Sequence, residues 1–185
     1  LLLVSVAIGH PQYGANVGGL ITSVVTMGIF FLIISEKKLN FKQFIAIGIL
    51  AFLGVVIVAQ LDAMFSANPS HAGKAINSLF IGGPAILKDI LKTKLTILSS
   101  TIYNSNWSIV LIISLTFLSI LWFKKPRILP GIIKKQDWVG KIVIILFVSA
   151  TTVFLVNDTG VIACALIILY LISCIFVQLY LQKHP

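Results

Sequence analysis

The chain has 185 residues, of which 58% are hydrophobic and only 10% charged, and its mean hydropathy is +1.07. A soluble domain carries about a quarter charged residues, so composition excludes an ordinary soluble fold and implies a membrane protein. The formal net charge of +9 does not signal nucleic acid, because the basic residues sit in short gaps between apolar runs rather than along a soluble face; lipid headgroups and membrane topology explain it better.

The opening "LLLVSVAIG" has no basic leader and no small-residue cleavage site, so it does not read as a signal peptide. It reads as the end of a membrane span, residues 1–8, and the chain as part of something longer. A spanning helix needs about 20 mostly apolar residues, and five runs approach that length: 17–35, 43–61, 107–123, 139–156 and 161–181. The expected fold is therefore an all-α, polytopic helical bundle of five full spans plus the truncated one, in a single membrane domain over 1–185. Trp107, Trp122 and Trp138 each fall at a span end, where indole favours the headgroup zone.

Between the second and third full spans, Pro84 can open a helix. The stretch "AILKDILKTKLTILSSTI" then sets Leu87, Ile90, Leu91, Leu95, Leu98 and Ile102 on one face and Lys88, Asp89, Lys92, Thr93, Thr96 and Ser100 on the other. This predicts an amphipathic helix over about 84–102, lying in the membrane interface. Lys94 falls inside the apolar arc and has to snorkel to the headgroups. The competing reading is a helix packed on a soluble domain.

If the spans alternate, ten of the 14 basic residues fall on one side (the loops 36–42 and 124–138, Lys141 and the C-terminal tail) and Lys74, Lys88, Lys92 and Lys94 on the other. Short basic loops mark the cytoplasm. "GHPQYGAN", residues 62–106 and "NDTG" are then expected to be extracytoplasmic, in a plasma membrane, and anionic headgroups are the expected partner of the cytoplasmic loops. The run from 139 to 181 is far too long for one span at about 1.5 Å per residue, so "NDTG" must turn the chain, and Asn, Asp and Gly suit a tight turn.

Acidic residues number five. Glu36 and Asp137 balance nearby lysines, and Asp89 belongs to the polar face of the amphipathic helix. Asp62 and Asp158 lie at span ends, where a carboxylate flanked by apolar residues carries a cost. With His10, His71, Asn16 and Asn157 they form the candidate outward-facing polar rim. Imidazole and carboxylate are the usual groups for metal binding and acid–base work, but no metal spacing such as HExxH is present, and neither metal nor cofactor is expected. No nucleophile elbow, Walker loop or GxGxxG occurs, so the sequence contains no recognisable catalytic or phosphate-cradling motif. Gly14 and Gly18 have GxxxG spacing and, with Gly19, are expected to serve close helix packing. Cys164 and Cys174 read as apolar packing residues. The acceptor patterns "NWS" and "NDT" at Asn106 and Asn157 abut spans, which argues against glycosylation.

Taken together, "GHPQYGANVGG", "LDAMF…SHAGKAI", "LKTKLTIL" and "VNDTGVIA" in this order resemble the C-terminal membrane region of large bacterial envelope proteins described as alkaline-phosphatase-like or phosphoglyceromutase-like. In that family an extracytoplasmic phosphatase-superfamily domain accompanies a polytopic membrane part. The resemblance implies a membrane module that anchors such a hydrolase or transferase and supplies a headgroup-level groove for a lipid-linked substrate. Asn16, Gly18, Gly19, Asn157, Asp158 and Gly160 match recurring family marks without an assigned role, and no catalytic residue carries over. Part of a transporter or channel, or a purely structural anchor, are the alternatives; spans nearly free of ionisable residues away from their ends count against an ion path.

Overall fold

The computed structural model describes residues 2–10, 12–14, 16–36, 40–65, 78, 85–124 and 137–183. Among these there are seven helices: α1 (Leu2–Gly9), α2 (Val17–Ile34), α3 (Phe41–Phe65), α4 (Ala85–Asn104), α5 (Asn106–Lys124), α6 (Asp137–Val156) and α7 (Gly160–Lys183). Five of them, α2, α3, α5, α6 and α7, are long and apolar enough to cross a membrane. Helices are what the composition demands, because a bilayer offers no water to satisfy backbone amides and each span must bond its own. The protein is an all-α, polytopic membrane bundle.

The helices pack side by side in the order α3, α2, α6, α7, α5, so neighbours in space are not always neighbours in sequence. Burial follows this row. The buried share is 39% in α7 and 28% in α6, but 17% in both α3 and α5, which makes α6 and α7 the centre and α3 and α5 the edges. Phe52 and Leu50 on α3 and Ile112 and Ile113 on α5 are correspondingly exposed. In a bilayer such side chains meet lipid at no hydrophobic cost.

Packing is closest where small residues stand. Cys164 and Ala165 of α7, with Ala150 of α6, join Leu111, Val153, Val161 and Ile168 in the largest core cluster. Helix association in membranes rests on van der Waals contact rather than water exclusion, and small side chains bring the backbones together. Farther along the same helices Val139, Leu171 and Ile175 form a second cluster. A third, of Ile29, Ile33 and Ile47, joins α2 to α3 and extends to Ile145 and Val148 of α6. At mid-span, the Thr26 and Ser149 hydroxyls of α2 and α6 lie 2.8 Å apart. The Ser149 hydroxyl already donates to the Ile145 carbonyl at 2.7 Å, so Thr26 is the donor between helices.

The two ends of the row differ. At one end the 157–160 turn, the start of α2 and the start of α5 come together with α4. At the other, α2 closes on Ser35, whose N–H reaches the Phe31 carbonyl, and Glu36 adopts a left-handed φ of 55° with its N–H on the Ile33 carbonyl. The Glu36 carboxylate is 3.9 Å from the Lys141 ammonium of α6.

Candidate functional site at the 157–160 end

The turn between α6 and α7 organises this end. The Asn157 side-chain oxygen accepts from both the N–H and the hydroxyl of Thr159 at 3.3 Å, and the Asn157 carbonyl accepts from the Gly160 N–H at 3.0 Å. An Asn that bonds two residues ahead mimics a backbone turn. Gly160 is required by space, since a Cβ there would come within 2.6 Å of the Val153 and Phe154 carbonyls. The run 139–181 thus closes into a helical hairpin, with Asp158 and Thr159 exposed at its tip.

The beginning of α2 docks on this turn. Asn16 caps the helix, its side-chain oxygen accepting from the Gly19 N–H at 2.8 Å, which satisfies one of the first unpaired amides of the helix. One turn in, a Cβ on Gly18 would stand 2.7 Å from both the Asn157 Cα and the Val156 carbonyl. Gly18 is therefore the contact that seats α2 against the hairpin. Gly19 faces α1 through the Ile8 side chain. Gly14 lies in the turn before α2, close against the Ile8 backbone. Gly14 and Gly18 consequently do not share one helical face, because the helix starts only after Asn16.

α4 completes the site. Its Lys94 ammonium forms an ion pair and a charge-assisted hydrogen bond with the Asp158 carboxylate. The lysine that the helical pattern sends to the headgroups is thus held by a carboxylate 64 residues away in sequence. Leu98 packs against the main core cluster, and the Ser108 hydroxyl of α5 donates to the Thr101 carbonyl of α4 at 3.3 Å. The apolar face is rotated relative to the sequence pattern. Ile90, Ile97 and Leu98 are half-buried, whereas Leu91 and Leu95 are 62% and 65% exposed.

His10 sits in the connection between α1 and α2, its ring 4.9 Å from that of Tyr13, and its Nδ1 accepts the Gln12 N–H at 3.2 Å. In a neutral ring the proton is then on Nε2. Asp62 is 3% exposed and engaged. It lies within α3, which runs on to Phe65 beyond the span end expected near residue 61. His71 is outside the described residues. Among the described residues no group of three or more His, Cys, Asp and Glu is arranged to hold a metal. Asn16, Gly18, Asn157 and Asp158 are therefore brought into one contact network, with Lys94 as the member that sequence reasoning missed. A lysine in an apolar arc was the only local signal for it.

No known protein family, characterised protein or solved structure matches this chain. The chemistry available at this end is accordingly read from its residues alone: a satisfied ion pair, a helix cap, a tight turn and a surface helix. These groups position an element.

Proposed function

We propose that the chain is the membrane module of a larger bacterial envelope protein, which anchors an extracytoplasmic hydrolase or transferase and holds α4 beside it at headgroup level. One observation carries this reading: α4 is fastened to the hairpin tip by Lys94 and Asp158 while its Leu91 and Leu95 face outward, uncovered. A helix so placed at the end of membrane spans has an apolar strip suited to the bilayer interface. The resemblance to alkaline-phosphatase-like envelope proteins supports the nature of the anchored part. The distribution of Lys and Arg supports an extracytoplasmic site for the hairpin tip.

One mid-span polar pair favours anchoring over transport. Thr26 and Ser149 are engaged with each other, which ties α2 to α6 and serves packing.

Spin-label accessibility tests the reading. In reconstituted protein carrying Cys164→Ala and Cys174→Ala, a label on Leu95→Cys is expected to collide more with oxygen than with a water-soluble nickel chelate. A label on Ser100→Cys, across the helix, shows the reverse. Equal, water-like accessibility at both positions would contradict a helix lying on the bilayer.

A further inference from the structure

We propose that α4 is a binding site for the phosphate headgroup of an anionic bilayer lipid, with Lys88 and Lys92 as the phosphate ligands and Leu91 and Leu95 as the seat of its acyl chain. The proposal rests on the reading of α4 as a bilayer-surface helix and adds a ligand class to it.

The argument begins with geometry. Lys88 and Lys92 are four residues apart, hence neighbours on one helix face, and both are exposed. Leu91 and Leu95, also four apart, make the adjoining strip. Charge and apolar surface therefore run side by side along the helix, the pattern an amphiphile presents in reverse. This surface is open rather than enclosed, and the lysines and leucines share it with Thr96, Ser99 and Ser100 of the same helix.

Charge complementarity selects a phosphate. Lys94 is neutralised by Asp158, so it leaves this surface to Lys88 and Lys92. Among the described residues they outnumber the one carboxylate on that surface, Asp89. A soluble phosphate would use the lysines but would leave Leu91 and Leu95 facing water. A lipid phosphate uses both. The Lys94–Asp158 pair fixes the rotation of α4 that presents this surface.

The test compares spin-labelled phosphatidylglycerol with spin-labelled phosphatidylcholine in vesicles holding the full chain. The motionally restricted fraction of each gives their relative association constants. The unaltered protein is expected to prefer phosphatidylglycerol, and Lys88→Gln with Lys92→Gln to reduce that preference about fivefold per lysine, with helix content unchanged by circular dichroism. Leu91→Ser is expected to lower association of both lipids while keeping their ratio. An unchanged preference in the double lysine variant would overturn the proposal, even with α4 on the bilayer by spin-label accessibility. If accessibility places α4 in water, the underlying reading fails as well. Displacement of phosphatidylglycerol by inorganic phosphate at fixed ionic strength would reassign the surface to a free anion and contradict the lipid assignment.

Discussion

Lys94 and Asp158 pair across 64 residues of sequence, joining the middle of α4 to the tip of the α6–α7 hairpin. Both side chains are about half exposed, 47% and 56%, and an ion pair open to solvent contributes roughly 0–1 kcal/mol. Its importance is orientation rather than stability. Asp158→Asn and Lys94→Gln are each expected to leave insertion and helix content intact while broadening the distance distribution between spin labels at Ser100 and Thr159. The exchange Lys94→Asp with Asp158→Lys is expected to narrow it again. A distribution unchanged in either single variant would remove the pair as the fastening of α4.

The approach of α2 to the same turn predicts a contrast between two glycines. Gly18→Ala places a Cβ 2.7 Å from the Asn157 Cα and the Val156 carbonyl, backbone atoms that cannot swing aside, and is expected to destabilise by about 1–3 kcal/mol. Gly48→Ala meets nothing within 4 Å and is expected to be neutral or stabilising by up to about 1 kcal/mol. Unfolding in mixed micelles under increasing denaturing detergent measures both. Equal effects would mean that α2 does not sit on the hairpin.

Thr26 and Ser149 bridge α2 and α6 through one hydroxyl pair. Hydrogen bonds between membrane helices average about 0.6 kcal/mol in double-mutant cycles, because an unpaired hydroxyl finds a carbonyl on its own helix. A cycle of Thr26→Val and Ser149→Ala is expected to return a coupling of that size. A coupling near zero would indicate that the two hydroxyls do not meet.

Glu36 provides a test in the opposite direction. Its φ of 55° is one that residues with a Cβ adopt at a cost and that helix ends ordinarily give to glycine. The 3.9 Å contact with Lys141 involves a carboxylate 84% exposed and compensates little. Glu36→Gly is therefore expected to stabilise the bundle by about 1 kcal/mol, read by the same micelle titration. Destabilisation would show that the Glu36 side chain matters more than its backbone strain.

The helices were legible in the sequence because a bilayer converts an apolar run directly into a span: the run 17–35 becomes Val17–Ile34 and the run 161–181 becomes the apolar part of Gly160–Lys183. The hairpin was legible for a similar reason, since length forces a turn and "NDTG" contains turn formers. What the sequence hid depends on tertiary contact. Gly14 matched a packing motif with Gly18, but the helix begins at Val17 and leaves Gly14 in a turn. The span ends at Asp62 as its apolar run does, but the helix itself continues through Ala63, Met64 and Phe65, which the apolar run does not mark. Lys94 fitted an apolar face only by snorkelling, and nothing local points to Asp158. The order of helices in the row was equally hidden, because every span is apolar nearly all round and its sequence does not mark the face that meets a neighbour.

We propose that α4 and the hairpin tip share the extracytoplasmic side of the membrane, with the Glu36 end on the other. Single cysteines at Ser100, Thr159 and Ser35, in protein carrying Cys164→Ala and Cys174→Ala, test it with an impermeant maleimide on intact cells. Ser100→Cys and Thr159→Cys are expected to react at once and Ser35→Cys only after permeabilisation. Reaction of Ser100→Cys and Thr159→Cys from opposite sides, or of both only after permeabilisation, would contradict the account.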